Sequence, residues 1–272
     1  MKKIIFLLLL TSFLSFNLRG YSAYPSWTVS QRNLFGNIVL MEKKLIEYIK
    51  IADQNKSKYE PQWRVSELTY YLWENYMFKK DYKKCFDIIK VGYKYGKRAL
   101  KIKPNGKEAL FWFSANVGIY GLLKGPTNVL QLAPQGRKLL EKLSVVDPKM
   151  TFEKGSWARI LGKIYAFIPS FPISFGNIEK GIYLLNKTVA AYPNYGINWN
   201  FLGEAYLVKG EIFKAKSLFE KNILMLKNSD QTIYANRRDL RISKTLLKLT
   251  KKYILEGKTH ISYSVLSKEE YN

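Results

Sequence analysis

Six residues between Asn198 and Asn222 restrict what this chain can fold into more than any other stretch. In NWNFLGEAYLVKGEIFKAKSLFEKN, Trp199, Leu202, Gly203 and Tyr206 fall at the spacing W-x2-L-G-x2-Y, and Ala215 and Phe219 follow at A-x3-F. Residues three and four apart lie side by side on a helix, so Trp199, Leu202 and Tyr206 share one face of a first helix. Gly203 removes a side chain where a second helix has to come close. Ala215 does the same from the opposite side, and Phe219 fills the space between. The pattern predicts two helices joined by a short turn. One such hairpin leaves an apolar face uncovered, so the rest of the chain has to supply stacking neighbours.

This spacing is the signature of the tetratricopeptide (TPR) repeat. Laid back along the chain, it exposes a longer period. Lys103-Pro104-Asn105, Asp147-Pro148-Lys149 and Tyr192-Pro193-Asn194 recur at 44 and 45 residues. Each follows a predicted helix and precedes an aromatic-rich one, where proline stops the first and presets the second. Gly92, Gly136 and Gly181 each stand twelve positions before one of these prolines. That shared offset predicts three second helices with a close-approach point in the same place. The period exceeds the about 34 residues of a plain TPR, so the units are expanded. In the unit at Lys107, Ala109, Trp112 and Ala115 belong to the first helix. The segment Gly118–Gly136, with four glycines and two prolines, is read as an apolar loop before a helix over 138–146. In the next unit, Leu161, Gly162 and Tyr165 echo the signature with Trp157 one position early, and AFIPSFPISFGN separates them from a helix over about 177–192. An apolar loop must be covered or must line something apolar.

Other helices follow from spacings of three and four. One capped by Ser30 carries Ile38, Met41, Leu45, Tyr48 and Ile49. After a polar break at 54–61, a second carries Val65, Leu68, Tyr71, Leu72 and Tyr76. A third presents Phe86, Ile89, Tyr93, Gly96 and Leu100, with Gly92 beside that face. A last, more polar helix over about 232–255 closes the array, and a loosely ordered tail from Gly257 contains His260. The fold class expected is all-α, a TPR-like helical-hairpin solenoid with expanded units. Residues 1–22 are assigned to a signal peptide, 23–257 to one helical domain and 258–272 to a C-terminal tail.

The signal assignment rests on Lys2 and Lys3 before an apolar core of Ile4–Leu10 with Phe13–Phe16, and on Gly20 and Ser22 as a small-x-small site. The run falls short of the about 20 residues that span a bilayer; a retained anchor is the alternative. The chain is expected to be exported, to a periplasm-like space. Cys85 is the only cysteine, so no intramolecular disulfide forms, and its helical setting in KKCFDIIK marks it as a small buried apolar residue.

The formal net charge of +24 becomes +21 once Lys2, Lys3 and Arg19 leave with the signal. The basic residues are mostly lysines spread along the solvent sides of helices, as at Lys79–Lys80, Lys83–Lys84 and Lys251–Lys252. That dispersal and the export signal argue against nucleic acid; an anionic membrane surface or an acidic partner remains. His260 is the only histidine and lies in the tail, so neither a nucleophile–histidine arrangement nor a histidine-rich metal centre is expected. Glu179, Glu204 and Glu220 are expected to face solvent. No enzymatic activity, cofactor or metal is assigned.

Pro104-Asn105 with Glu108-Ala109, Trp112 with Ala115-Asn116-Val117-Gly118, and Asp147-Pro148 are followed by Leu161-Gly162-Lys163-Ile164-Tyr165. With Ile168-Pro169 and Phe175-Gly176-Asn177, this arrangement resembles the T-component (TatT) family of periplasmic TPR-like proteins associated with TRAP transporters. The resemblance covers roughly the middle half of the chain. It implies a helical solenoid with an apolar channel or groove, working beside a periplasmic solute-binding protein and a permease. On that reading the chain is a non-enzymatic accessory protein of a TRAP-like uptake system that handles an apolar ligand, docks a solute-binding protein, or both. Candidate ligand-lining residues are Trp112, Tyr120, Phe171, Phe175 and Trp199. The alternative is a TPR adaptor of the cell envelope that docks peptides or proteins in its groove.

Overall fold

Proline and glycine punctuate ten α-helices in the computed structural model, which describes residues 37–230, 234–261 and 266. The signal assignment over 1–22 and the Ser30 cap lie outside these residues. In chain order the helices are α1 (Ile38–Gln54), α2 (Tyr59–Phe78), α3 (Tyr82–Ile102), α4 (Lys107–Lys124), α5 (Pro126–Val146), α6 (Ser156–Phe167), α7 (Ile178–Ala191), α8 (Gly196–Lys209), α9 (Ile212–Lys227) and α10 (Tyr234–Leu255). The side chains of Asn37, Asp81 and Asn177 accept hydrogen bonds from N–H groups in the first turns of α1, α3 and α7, as N-caps do. The described residues divide into two compact units, the first ending at Pro148 and the second starting at Lys149.

Within each unit every helix packs on its successor, and first helices of adjacent hairpins also pack on each other, α2 on α4 and α6 on α8. This is the contact pattern of stacked hairpins in a solenoid, and the fold is all-α and TPR-like, with expanded units. The hairpin predicted from the signature is α8–α9. A Cβ on Gly203 would sit 2.4 Å from the fully buried Phe219 ring, so glycine is required for that approach. Two of the three equivalent glycines do the same. Gly181 would clash at 2.7 Å with backbone atoms of α6, and Gly92 at 2.1 Å with Asn116. Gly136 is the exception, its nearest neighbour being 3.9 Å away.

Three further readings change. The segment 118–136 is helical rather than a loop: α4 runs to Lys124 and α5 starts at Pro126, with only Gly125, at φ 100°, between them. Pro126 occupies the first helical position, where its missing N–H is no loss, and Pro134 is accommodated inside α5. Burial of Val117, Ile119, Leu140 and Leu143 overrides the low helix propensity of the glycines and prolines. The buried face of α3 is rotated from the one expected: Cys85, Ile89, Gly92, Tyr95, Gly96 and Ala99 face inward, so Gly92 is central rather than lateral. After α10, Ile261 and Leu266 are buried in a core with Leu207, Phe219 and Leu246, and the Ile261 N–H donates to the Leu207 carbonyl at 3.3 Å. These two residues are therefore packed rather than loose.

First and second helices differ in how they are covered. Residues 61–73 of α2, 109–117 of α4, 156–166 of α6 and 196–205 of α8 are buried without interruption, whereas α3, α7 and α9 bury single stripes. An uninterrupted run means contact on every face. Replacement of Gly203 by alanine is expected to lower stability by about 1–3 kcal/mol through overpacking against Phe219, measured by chemical denaturation.

Candidate ligand site

The inner helices carry charges that the apolar environment has to accommodate. In α2, Arg64 and Glu67 are 4% and 0% exposed and pair at 3.1 Å. Arg64 also lies over the Trp63 ring, 4.0 Å from its centroid. Glu67 uses Oε2 for Arg64, while its buried Oε1 has no hydrogen-bond partner. Burial raises the Glu67 carboxyl to about 7, against the lowering effect of Arg64.

One turn beyond Glu67 stand Tyr70 and Tyr71, on the same face of α2 by helical spacing. Both pack on Trp112 of α4, with ring centroids at 5.9 and 5.5 Å, and Trp112 meets Phe111 edge-on at 5.0 Å. Trp73 joins at 5.7 Å from Tyr70, and its buried indole N–H has no acceptor. Gln62 donates to the Ala52 carbonyl at 2.7 Å, leaving its own Oε1 unpartnered. The α2–α4 region thus combines packed aromatic rings with two unpaired acceptors and one unpaired donor. Most buried polar groups in proteins are satisfied, so such a concentration is unusual.

A knot of short polar side chains holds these helices together. Asn116 of α4 donates to the Ser66 carbonyl at 2.8 Å and to its hydroxyl at 3.0 Å, and accepts from Thr69 at 3.3 Å. Gly92 of α3 leaves the room this knot occupies. At the start of α4, Tyr59 donates to Glu108 at 3.0 Å and accepts the Ala109 N–H at 3.1 Å.

The second unit holds a different buried pair. Lys163 of α6 and Glu204 of α8 are 1% and 2% exposed, and they meet at 2.8 Å. The Lys163 ammonium lies 4.1 Å from the Phe201 ring centroid, a cation–π contact. Arg159 of α6 donates to Asn198 of α8 at 3.0 Å. Glu204 therefore does not face solvent as expected; its position on an enclosed inner helix leaves it nowhere to go but against Lys163. Glu179 and Glu220 do face outward, with side chains 66% and 42% exposed.

The structure distributes the five expected lining residues rather than gathering them. Trp112 belongs to the α2–α4 cluster. Tyr120 packs on Phe86 and Tyr93 at 6.1 and 5.1 Å, between α3 and α4. Trp199 is buried, with its indole N–H donating to the Pro193 carbonyl at 2.7 Å. Phe175 meets the Tyr165 ring edge-on at 6.2 Å. Phe171 is 88% exposed, so the loop it occupies is not covered over its tip. Cys85 is fully buried with its thiol pushed up to about 12 by burial, which leaves it without thiolate character.

The residues missed from sequence are the buried charges Arg64, Glu67, Lys163 and Glu204. A signal was present: opposite charges three apart in WRVSELTYYLW, and a lone lysine within LGKIY, stand inside aromatic and aliphatic runs with no polar face to occupy. Among the described residues no group of histidine, cysteine and acidic side chains is arranged to hold a metal ion, and no helix is long and apolar enough to cross a membrane. Comparison of the chain with protein-family models and with curated proteins gives no match.

Two measurements test the buried charges. Lys163→Met alone is expected to cost about 3–5 kcal/mol, because Glu204 is left buried and unpaired, whereas Lys163→Met with Glu204→Leu is expected to recover most of that loss. A double-mutant cycle by denaturant unfolding reads the difference. Glu67 titrates higher folded than unfolded, so its protonation stabilises the fold below its unfolded value, and that stabilisation is lost as pH rises through about 7. Stability is expected to fall between about pH 5 and 8 by up to about 3 kcal/mol, and thermal melts of Glu67→Gln are expected to lack that component.

Proposed function

We propose that this chain is a non-enzymatic, exported TPR-type accessory protein of a TRAP-like solute uptake system, whose α2–α4 cluster holds a largely apolar small molecule. The single observation that carries this reading is Glu67 Oε1, a fully buried carboxylate oxygen without a partner, one turn from the Tyr70–Tyr71–Trp112 cluster. A buried acceptor left unpaired costs about 1–3 kcal/mol. A bound molecule with a hydroxyl or amine at Glu67 and an apolar body against the rings removes that cost. A few placed polar groups in an aromatic setting are what small-molecule sites use for orientation. The Trp73 N–H offers a second polar contact, to an acceptor on the same molecule.

The family resemblance supplies the setting. A periplasmic solute-binding protein is the partner it implies, and the ligand would pass between that protein and this one. The adaptor reading needs no small molecule, which makes occupancy of the cluster the discriminating property.

Full-length protein purified without detergent is expected to carry an apolar small molecule, visible by native mass spectrometry and identified by solvent extraction. Glu67→Gln preserves side-chain volume while exchanging the carboxylate for an amide. It is expected to weaken rebinding about tenfold or more in calorimetry, with an unchanged far-ultraviolet spectrum. Protein that carries nothing, and takes up none of the extracted or trial apolar molecules, overturns the proposal and leaves the adaptor.

A further inference from the structure

One end of the second unit carries exposed apolar side chains that nothing in the ligand reading uses. Its centre is the loop 168–177 between α6 and α7. The loop closes on itself: the Gly176 N–H donates to the Pro169 carbonyl at 2.9 Å, and Ile173 and Ser174 donate to the Ser170 carbonyl at 3.1 and 3.2 Å. The Asn177 N–H donates to the Tyr165 carbonyl at 2.7 Å, tying the loop base to α6. Only glycine fits at 176, since a Cβ there would lie 1.8 Å from the Ile168 carbonyl oxygen. This closed frame carries Phe171 and Ile173 outward, 88% and 72% exposed.

Two other exposed apolar residues share this end of the unit. Lys209, in the last turn of α8, pairs at 2.9 Å with Glu179 in the first turn of α7, which brings the α8–α9 turn beside the loop. Phe213 follows that turn and is 68% exposed. The Ile261 N–H reaches the Leu207 carbonyl of α8, so the chain leaving α10 returns here as well, and Leu255 at the end of α10 is 88% exposed.

The outer face of α10 leads to the same end. Arg241, Lys244, Lys248, Lys251 and Lys252 are all exposed and recur at spacings of three and four. The single acidic residue of that helix, Asp239, is fully buried. A basic helical stripe running to a set of protruding apolar side chains is the pattern of a protein seated in a membrane interface. The loop suits that place because three of its N–H groups are bonded within the loop and two more to α6, and unsatisfied ones are costly where water is scarce.

We propose that this end of the second unit docks on an anionic lipid surface, with Phe171 and Ile173 entering the interface and the α10 stripe facing the headgroups. The occupant is argued from charge and shape. The chain carries +24, the exposed charges of α10 itself are basic, with Lys251 and Lys252 near carboxylates, at 3.7 and 3.9 Å from Glu220 and Glu256, and the apolar residues protrude singly. Single protruding side chains suit a fluid acyl boundary; a protein partner would need a matched surface of about 1,000 Å² or more. This inference stands apart from the ligand reading, and its test does not involve the α2–α4 cluster.

The probe is local. Ile173→Cys in the full chain is labelled with an environment-sensitive fluorophore, the one native thiol, Cys85, being fully buried. The emission is expected to shift to the blue with vesicles of phosphatidylethanolamine and phosphatidylglycerol, and not with vesicles of phosphatidylcholine alone. Lys244→Gln with Lys248→Gln and Lys251→Gln is expected to weaken that response roughly fivefold per lysine removed at low salt. Unchanged emission on anionic vesicles overturns the proposal, even if the protein sediments with them, because binding then occurs elsewhere on the chain. An equal shift on both vesicle types, or a shift indifferent to the lysines, overturns it too.

Discussion

How closely the inner helices approach one another decides everything else in each unit. Gly92 stands where a Cβ would strike both Asn116 and Thr69, so its absence of a side chain is what lets the Ser66–Thr69–Asn116 knot join α2 to α4. In the second unit Gly162 and Gly181 face each other, each within 3.1 Å of the other's carbonyl oxygen if a Cβ were added, and Gly203 receives Phe219. A second knot follows the same plan. Asn222 of α9 donates to Asn200 of α8 at 3.0 Å and to Ser243 of α10 at 2.9 Å, and Ser243 donates to Asn200 at 2.6 Å. Short polar side chains bonded to one another across helices fix register more sharply than apolar packing, since a misplaced neighbour breaks several bonds at once.

That closeness encloses the first helix of each hairpin, and enclosure sets the chemistry of any charge on it. Lys163 and Glu204 answer by pairing between α6 and α8. Arg64 and Glu67 pair within α2 but leave one carboxylate oxygen unpartnered. Glu204 likewise leaves Oε1 without a hydrogen-bond partner, but its Oε2 meets a cation from a neighbouring helix, so this pair ties α6 to α8. The Arg64–Glu67 pair lies within one helix, beside the Tyr70–Tyr71–Trp112 rings, and that setting is the ground for the ligand proposed there.

The outer side of the second unit obeys the opposite logic. There the loop 168–177 is braced by hydrogen bonds within itself and to α6, and it carries Phe171 and Ile173 outward. Of the two expectations for an apolar loop, cover by the rest of the fold does not hold at this tip, where Phe171 and Ile173 are exposed. The 118–136 segment fails in the other direction: it carries the same loop-forming residues yet folds into α4 and α5, because packing between the two helices outweighs the local preference of each glycine and proline.

Most of the helices were legible from spacing alone. Trp199 through Phe219 defined a hairpin in which Gly203 meets Phe219, and the prolines at 104, 148 and 193 marked where α3, α5 and α7 end. The candidate site was legible in one residue only: Trp112 lies in the α2–α4 cluster, whereas Tyr120, Phe175 and Trp199 pack elsewhere and Phe171 is exposed. Helical period and turn chemistry are local properties, so the order of residues by itself determined the all-α class and the hairpin grammar. Enclosure is not local. Whether Glu67 and Glu204 meet water, a cation or nothing depends on helices distant along the chain, and only the tertiary structure decided it.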